Sequence, residues 1–301
     1  MSPQRALDLG LVVATHGRHL VIETPDGDRL LCHPRGKRRE VVVGDRVRWQ
    51  RTGDEGVVEH IEPRRNLLFR QDEWRTKSFA ANVDQLLLLV AAVPVFGESQ
   101  LTRALIAASA AGVPTIIGLN KVDLPEAAAA RERLLPYRRM GLDVMELSLK
   151  GDAAASTRHL LERLEGRCTL LLGPSGCGKS TLVNLLVPGA DAQVGSLSRA
   201  LGSGRHTTTT TRWYWLDADH QASLIDSPGF QSFGLQHLAA VDLPARMPDF
   251  AAELGHCRFH NCTHRHEPQC GVRDAVQAGR ISESRYRIYL ELFDELSRTK
   301  W

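Results

Sequence analysis

The sequence has no long hydrophobic run, few aromatic residues and little net charge. Across 301 residues only 6% are Phe, Trp or Tyr, and 38 basic against 35 acidic residues give a formal charge of +3. No apolar run approaches the roughly 20 residues of a membrane-spanning helix, which argues against a membrane protein. Because the chain is nearly neutral, any contact with nucleic acid must come from local basic patches.

The sequence also lacks a recognisable export signal, since the start MSPQRALDLG has no basic region followed by an apolar one. We therefore expect a cytoplasmic, monomeric protein without membrane association, in a reducing compartment where disulfides are rare. The six cysteines are then expected to be thiols or metal ligands. Cys257, Cys262 and Cys270 fall within fourteen residues, which favours a metal site.

The N-terminal part, residues 1–75, contains five short β-rich runs separated by Gly and Pro turns. Such a series predicts a small closed β-barrel. Basic residues cluster at positions 35–39, 46–51 and 64–65. Acidic residues are interspersed, so a solvated, charge-balanced face is one interpretation. RNA contact is the other, and the clustering favours it.

In the central part, residues 76–235, buried apolar runs such as QLLLLVAAV and RCTLLLG alternate with helical stretches. This alternation predicts a parallel sheet covered by helices. Residues 236–301 lack strand patterns and contain the cysteine cluster, so we expect a mainly helical C-terminal domain. Its last helix has one apolar face, which is most simply a packing face and consists of Ile281, Ile288, Tyr289, Leu292, Phe293 and Leu296.

A phosphate-binding loop is predicted at GPSGCGKS, which follows a strand and opens a helix. Its glycines let backbone N–H groups turn towards phosphate oxygens. Lys179 is predicted to reach the β- and γ-phosphates, and the Ser180 hydroxyl to bind Mg²⁺ together with GTP. A chance Gly-rich turn is the alternative, but the flanking strand and helix argue against it.

Guanine recognition is predicted at NKVD, which ends the strand TIIGL. The Asp123 carboxylate can accept two hydrogen bonds from the guanine edge, a donor pair that adenine lacks. Asn120 can brace the phosphate loop, and the stem of Lys121 can stack on the base. Ser148, in ELSLKG, fits a loop that supports the base, although Leu149 departs from the usual Ser-Ala-Lys.

Further along, DSPG follows the apolar strand SLI, so Asp226 can hold the Mg²⁺ shell and Gly229 can sense the γ-phosphate. Ordinary GTPases have the phosphate loop before these other motifs, whereas here NKVD precedes it. The sequence therefore predicts a GTPase with circularly permuted motifs. The predicted guanine-nucleotide ligands are Asn120, Lys121, Val122, Asp123, Ser148, Gly173, Pro174, Ser175, Gly176, Cys177, Gly178, Lys179, Ser180, Thr181, Asp226 and Gly229.

A switch segment is predicted at GSGRHTTTTTRW, residues 202–213, where a threonine can reach Mg²⁺ when GTP is bound. We select Thr208 as this ligand, although a β-prone edge strand is the alternative. Phe230 stands where many GTPases have a water-orienting Gln. Another group must replace it, and His206 is the nearest candidate; a solvated loop histidine is the competing interpretation. The predicted catalytic residues are thus His206, Lys179 and Thr208.

A tetrahedral metal site is predicted from three thiols and one imidazole, namely Cys257, Cys262, His264 and Cys270. Four protein ligands leave no open position, so we expect one structural Zn²⁺ per chain and no zinc catalysis. The rival nitrogen ligands at this stage are His256, His260 and His266.

The motif order, the GRHTTT switch and the Cys-Cys-His-Cys spacing together resemble the ribosome small subunit-dependent GTPase A family, of RsgA type, over nearly the whole chain. The resemblance implies an OB-fold, a permuted GTPase domain and a zinc domain. It implies GTP hydrolysis that is slow alone and stimulated by the small ribosomal subunit. It also implies a role in late subunit maturation, with ribosomal RNA and other assembly factors as partners. The family's switch histidine falls on His206, and its apolar substitute for Gln on Phe230.

Two other functions stay open at this point. The first is a nucleotide-gated ribosome-binding module with little hydrolysis, which would bind through the barrel and the zinc segment. GTP turnover measured with and without small subunits separates it from a GTPase. A P-loop ATPase or small-molecule kinase is a second alternative, and Asp123 argues against it.

Overall fold

The computed structural model of the chain describes residues 7–16, 19–36, 41–71, 76–190, 210–227 and 234–298. Within these ranges strands come first, strands and helices then alternate, and helices follow at the C-terminal end. None of the helices there combines the length and the apolar character needed to cross a membrane.

Five short strands form a closed barrel in the N-terminal part. Their bounds are β1 Asp8–His16, β2 His19–Glu23, β3 Arg29–Pro34, β4 Arg46–Thr52 and β5 Glu55–Ile61. The order β1-β2-β3-β5-β4 closes on itself because β4 also pairs with β1. The small apolar interior consists of Val12, Leu20, Ile22, Cys32, Val47, Trp49 and Val58. The predicted five-stranded barrel is confirmed.

The run REVVVGDRVRWQ predicts one continuous strand, but β4 begins only at Arg46. The buried carboxylate of Asp45 closes a turn just before it. Asp45 is fully buried and accepts hydrogen bonds from the Val42 amide at 2.9 Å and from the Arg64 guanidinium at 2.7 and 2.8 Å. Gly44 has φ +89°, and a Cβ there would lie 2.2 Å from the Ala81 carbonyl oxygen. Only glycine fits this turn, so the strand begins after it.

The central sheet contains five parallel strands and one antiparallel strand. The parallel strands are β8 Gln85–Ala91, β9 Thr115–Asn120, β10 Asp143–Leu147, β11 Cys168–Leu172 and β13 Ser223–Asp226. Strand β12, Thr211–Trp215, runs antiparallel to β13, and the order is β10-β9-β8-β11-β13-β12. Every residue of β8 is buried, as the continuous apolar run predicts for a strand covered on both faces.

Among the described residues, four helices cover this sheet, two on each face. They are α1 Glu98–Ala110, α2 Ala127–Arg139, α3 Ala153–Leu164 and α4 Lys179–Leu186. Leu88 of β8 shares a core with residues of α1 and α2, whereas Leu87 shares a core with residues of α3 and α4. Because β9, β8, β11 and β13 are parallel, the loops after them meet at one edge, where α/β sheets bind ligands.

The barrel and the central sheet are joined by main-chain pairing. Strand β1 pairs antiparallel with β12, with Ala14 opposite Arg212 and Thr15 opposite Thr211. The Trp215 indole N–H donates to a Glu23 carboxylate oxygen at 2.7 Å. The result is one eleven-stranded sheet in which the strand after the threonine run contacts the barrel.

A hairpin that the sequence patterns did not predict follows the barrel. Its strands are β6 Leu67–Gln71 and β7 Thr76–Ala81, which form a separate two-stranded sheet. Ala80 also forms an isolated bridge with Val43, so the hairpin lies against the barrel. Residue 75, the position at which the patterns place the first domain boundary, falls between these two strands in the sequence.

The C-terminal part is mainly helical, as predicted. It contains α5 Pro248–Ala251, α6 Gly271–Gln277 and α7 Glu283–Arg298, with 3-10 turns at Ala240–Asp242, Pro244–Arg246 and Leu254–His256. All six residues of the predicted apolar face are buried; five lie in α7, and Ile281 lies just before its first residue. They pack into the same core as α1 and α2, so this part of the chain is held against the sheet-covering helices.

The buried face of α7 also contains an arginine that the apolar pattern did not identify. Arg285 is 1% exposed and donates to both carboxylate oxygens of Asp249, at 2.8 and 2.9 Å. It also donates to the Thr102 hydroxyl of α1 at 2.8 Å, and its guanidinium lies 5.4 Å from the ring centroid of Tyr137 in α2. The ion pair thus joins α5 to α7, and the contacts of Arg285 with Thr102 and Tyr137 connect these C-terminal helices to the central domain.

Candidate functional site

The phosphate loop lies between β11 and α4, in the middle of the sheet edge. A Cβ on Gly173 would lie 2.2 Å from the Leu89 carbonyl oxygen, so this position has no room for a side chain. Gly178 has φ +110°, and a Cβ there would lie 2.4 Å from Asn120 Nδ2. These two glycines let the loop turn tightly and approach the neighbouring motif closely.

The NKVD loop contacts the phosphate loop directly, although 49 residues lie between the two motifs and their order is inverted in the chain. Asn120 is buried, and its Nδ2 donates to the Cys177 carbonyl oxygen at 2.8 Å. Its Oδ1 accepts from the Leu149 amide at 3.2 Å. One side chain therefore links three predicted nucleotide-binding segments, those after β9, β10 and β11.

Lys121 makes a second connection to the phosphate loop. Its backbone has φ +63°, which turns the chain sharply at the end of β9. The ammonium donates to the carbonyl oxygens of Val93 at 2.6 Å and Gly176 at 2.9 Å. The aliphatic stem is thereby held across the loop edge, where an apolar surface can face a planar base.

Asp123 is exposed and is oriented by Ser148, which is followed by Leu149 where the usual Ser-Ala-Lys pattern has Ala. The Ser148 hydroxyl donates to Asp123 Oδ1 at 2.6 Å, and the Gly151 amide donates to the Ser148 oxygen at 3.2 Å. The hydrogen bond from Ser148 lowers the pKa of Asp123 below its ordinary value. An ionised, oriented carboxylate is the form that accepts hydrogen bonds from a guanine edge.

Lys179 and Ser180 begin α4, on the side of the sheet that also carries Asp226. The Lys179 ammonium donates to the carbonyl oxygens of Gly173 at 2.6 Å and Pro174 at 3.2 Å, within the loop that it closes. Burial raises the pKa of Asp226, and the positive charges of Lys179 and Arg212 act in the opposite direction. A hydroxyl and a carboxylate are hard oxygen donors, a set that fits Mg²⁺.

The predicted switch residues Thr208, His206, Gly229 and Phe230 lie outside the described residues. The positions that flank them are described: Thr210 and Ser227 are both buried. The hydroxyls of Thr211 and Ser227 lie 3.2 Å apart, so the end of one predicted switch touches the start of the other.

The Cys/His cluster in the C-terminal part brings together Cys257, Cys262, His264 and Cys270, whose ligand atoms all lie within 4.8 Å of one another. The Cys257 and Cys270 sulfurs are 4.0 Å apart, and His264 Nδ1 lies 3.5 and 3.4 Å from them. A tetrahedral zinc would separate two sulfurs by about 3.8 Å and sulfur from nitrogen by about 3.5 Å. The cluster therefore fits a four-coordinate metal ion.

The structure selects His264 among the candidate imidazoles. His264 is buried in the cluster, whereas His256, His260 and His266 are exposed, and His256 Nδ1 lies 3.2 Å from a Glu253 oxygen. The loop around His264 is braced by two tyrosine hydroxyls. Tyr286 donates to the His264 carbonyl oxygen at 2.8 Å, and Tyr289 donates to the Thr263 carbonyl oxygen at 2.6 Å.

Glu267 organises the same loop from inside. Its carboxylate accepts from the Thr263 amide and hydroxyl, at 2.7 and 2.5 Å, and from the amides of Arg265 and His266, at 3.0 and 3.2 Å. Burial opposes ionisation of Glu267, but these hydrogen bonds hold its pKa well below the ordinary range. The sequence patterns missed Glu267, because nothing in the order of residues around an acid in a Cys/His loop indicates that its side chain points inwards.

Comparison with known proteins agrees with this geometry. The family model described as RsgA GTPase matches residues 61–236. A protein from Variovorax paradoxus (strain S110), named small ribosomal subunit biogenesis GTPase RsgA, is 58% identical over 302 residues that cover 99% of this chain and 95% of that protein. A protein of the same name from Bordetella pertussis (strain Tohama I) is 54% identical over 288 residues, which cover 95% of both chains.

Solved structures agree on the fold. The crystal structure of YjeQ from Thermotoga maritima has a TM-score of 0.72 at 30% identity, covering 97% of this chain and 99% of that one. The structure of YloQ, titled a circularly permuted GTPase, has a TM-score of 0.71 at 24% identity and covers 100% of this chain and 99% of that one. The predicted fold class and the predicted enzyme class, a GTP hydrolase, are confirmed. This chain belongs to the RsgA GTPase family.

Proposed function

We propose that this chain acts in the late maturation of the small ribosomal subunit, where it binds the subunit, hydrolyses GTP to GDP and phosphate, and promotes release of other assembly factors. Hydrolysis is slow alone and is stimulated by the subunit. The names of the relatives from Variovorax and Bordetella support the ribosomal role. The protein is expected to work as a cytoplasmic monomer.

The observation that carries the guanine-nucleotide site is the contact between Asn120 and the Cys177 carbonyl oxygen. It brings the NKVD loop and the phosphate loop to one edge of the sheet, so a base bound by one and phosphates bound by the other belong to a single nucleotide. Asp123, oriented by Ser148, is proposed to accept from the guanine edge. The Lys121 stem is proposed to lie against the ring.

For hydrolysis, the proposed groups are those at the phosphate end. Lys179 contacts the β- and γ-phosphates, and Ser180, Thr208 and Asp226 hold the metal. These oxygen ligands would hold a Mg²⁺ ion bound with GTP, which would supply positive charge that offsets the negative charge of the phosphates. His206 orients the attacking water, because Phe230 has no polar group for that role. Gly229 contacts the γ-phosphate through its amide.

The Cys/His cluster is proposed to hold a structural zinc ion. Three thiols with one imidazole are soft and borderline ligands that suit Zn²⁺ better than Mg²⁺ or Ca²⁺. All four positions belong to the protein, so the site has no open coordination for chemistry. The metal is proposed to stabilise the loop that Glu267, Tyr286 and Tyr289 brace.

The barrel is proposed to contact ribosomal RNA. Several arginines of the basic clusters pair with acids: Arg35 with Glu59 and Arg48 with Glu62. Arg46 lies on the same strand as Arg48, and both are exposed. These pairings favour the charge-balanced interpretation for part of the surface, so the proposed RNA contact rests on the remaining basic positions and on the family resemblance.

Co-sedimentation with purified small subunits tests the proposal. We expect the protein to pellet with subunits in the presence of a non-hydrolysable GTP analogue and to be released with GDP. GTP turnover measured with and without subunits separates a stimulated GTPase from a nucleotide-gated binding module. Binding that is independent of nucleotide, combined with turnover that subunits do not change, would contradict the proposed role.

A further inference from the structure

The barrel and the central sheet enclose a cleft at the edge of the sheet away from the phosphate loop. Its volume is about 610 Å³, within the roughly 300–1,000 Å³ of sites that hold small ligands. The barrel contributes Leu9 and Arg46 to the lining, and the sheet contributes Trp215, Cys168 and Ser223. Cys168 and Ser223 begin the parallel strands β11 and β13, whereas the GTP motifs follow the ends of such strands. The cleft is therefore separate from the GTP site.

The two walls of the cleft are held together by a buried carboxylate and by strand pairing. Glu23, at the end of β2, is 7% exposed. One of its oxygens accepts from the Trp215 indole N–H at 2.7 Å, and the other accepts from Arg29 Nε at 2.8 Å. Ala14 and Thr15 of β1 pair with β12 on the same seam. These bonds give the cleft its shape without a ligand, and a preformed site binds at a lower ordering cost.

A tryptophan and a histidine form a parallel stack in this cleft. The rings of Trp215 and His220 have centroids 4.5 Å apart and planes 2° from parallel, and both residues line the cleft. His220 is exposed and has φ +57°, in the turn between β12 and β13. Asp217 holds this turn, because its carboxylate accepts from the amides of Gln221 at 2.9 Å and Ala222 at 2.6 Å. The exposed imidazole thus gives the stack an outer face on which a further planar ring can lie.

The charge available to a ligand in the cleft is positive. The carboxylates in its lining already have partners: Glu23 those given above, and Asp84 the Arg65 guanidinium at 2.6 Å and the Cys168 amide at 2.8 Å. Arg46 is exposed, and within the described part of the chain its guanidinium has no hydrogen-bond or ion-pair partner. A free cation and a stacking surface in one cleft are the groups that bind an unpaired nucleotide, through its phosphate and its base.

We propose that this cleft binds an unpaired RNA nucleotide, with the base on the outer face of His220 and the phosphate at Arg46. The inference rests on the proposed contact with ribosomal RNA and places that contact at the seam between the barrel and the central sheet. Paired bases in a duplex offer no free face for stacking, so the cleft selects single-stranded RNA. Because every base has a planar face, we expect little preference among bases.

Fluorescence anisotropy with a short labelled oligouridine tests the proposal on the full chain, with the GTP site saturated by GDP and Mg²⁺. Loss of one stacked base weakens binding by about 5- to 150-fold, and this loss is expected for His220→Ala. His220→Tyr keeps a ring and is expected to recover most of the affinity. For Arg46→Gln, the slope of log Kd against log salt is expected to fall by about 0.7, the value for one phosphate of a single strand.

His159→Ala and Arg139→Gln are the matched controls, since His159 of α3 and Arg139 of α2 are exposed and do not line the cleft. Both are expected to bind the oligomer like the wild type. Duplex RNA of the same length is expected to bind equally well to the wild type and to His220→Ala. Unchanged GDP affinity shows that a variant is folded. If His220→Ala does not fold, the salt slope of Arg46→Gln decides, because Arg46 is exposed on the barrel.

Wild-type affinity in folded His220→Ala, or an unchanged salt slope in Arg46→Gln, would overturn the assignment. Free uridine monophosphate that binds as tightly as the oligomer, and more weakly to His220→Ala, would make the cleft a small-nucleotide site and not an RNA site. Co-sedimentation separates this inference from the proposed function. A wild type that pellets with small subunits, while neither variant affects RNA binding, refutes the cleft alone. A wild type that neither pellets with subunits nor hydrolyses GTP faster in their presence refutes the proposed function.

Discussion

The buried ion pair between Arg285 and Asp249 gives the sharpest prediction about stability. Arg285→Met keeps an apolar side chain of similar length on the buried face of α7 but removes the charge. The Asp249 side chain is 9% exposed, so its carboxylate is left without its partner in a low-dielectric site. Removing one partner of a buried pair typically costs about 3–5 kcal/mol, because the other charge stays uncompensated.

The control is an ion pair of the same chemistry at the surface. Arg131 and Glu146 lie 2.8 Å apart with side chains 43% and 34% exposed. Arg131→Met is expected to cost much less than Arg285→Met, since solvent screens such surface pairs. The double variant Arg285→Met/Asp249→Leu removes both buried charges and is expected to recover most of the lost stability, because apolar replacement of a buried pair is often neutral.

Equilibrium urea unfolding followed by far-UV circular dichroism measures these differences in the free energy of unfolding. Limited proteolysis adds a local measurement, because Arg285 connects α7 to Thr102 of α1 and to Tyr137 of α2. We expect faster cleavage in the C-terminal part of Arg285→Met and unchanged GDP affinity. If Arg285→Met costs no more than Arg131→Met, the argument from the buried pair is wrong.

Four further predictions concern the sites. Asp123→Asn is expected to exchange guanine for xanthine selectivity, because the amide reverses one hydrogen-bond role; unchanged GTP affinity without xanthosine triphosphate binding in competition assays would contradict this. Gly178→Ala is expected to weaken GDP binding measured by fluorescence titration, because its Cβ would lie 2.4 Å from Asn120 Nδ2 at φ +110°; wild-type affinity would show that the loop can shift at no cost. His206→Ala is expected to keep nucleotide affinity and to lower subunit-stimulated turnover by about 10²–10⁴-fold, and normal stimulated turnover would return it to a solvated loop residue. Cys262→Ser, or zinc removal with a chelator, is expected to expose the chain to protease after about residue 254 and weaken subunit binding while GTP binding persists; loss of GTP binding in that variant would show that the two parts do not fold independently.

Much of the fold follows from local patterns in the chain. The run QLLLLVAAV predicts a strand buried on both faces, and β8 is buried at every residue. The six predicted apolar positions at the last helix are all buried, with Ile281 just before the helix and the other five within it. The pair of strands β6 and β7 was missed, because these short strands carry no clear alternation. Within the described residues they pair with each other and, through Ala80, with the barrel.

The candidate nucleotide site was predicted from short motifs and not from the pattern of apolar residues. A phosphate loop needs glycines wherever its backbone turns or passes close to a neighbour. The residues that bind phosphate are therefore consecutive, and a short sequence motif identifies them. The same holds for NKVD, whose roles belong to adjacent side chains. Ser148 was the weakest assignment because its neighbouring residues depart from the usual pattern, and the structure nevertheless places its hydroxyl 2.6 Å from Asp123.

The amino-acid sequence by itself determined the motif order, the GTPase class and the close spacing of the four Cys and His residues of the cluster, because short-range spacing controls loop geometry and ligand chemistry. Only the tertiary structure decided which residues meet across long separations. Arg285 looks like an interruption of an apolar stripe until Asp249, 36 residues away, is placed beside it. Trp215 looks like an ordinary strand residue until the barrel places the Glu23 carboxylate beside its indole N–H. Both depend on pairings between distant segments, which local sequence periodicity does not encode.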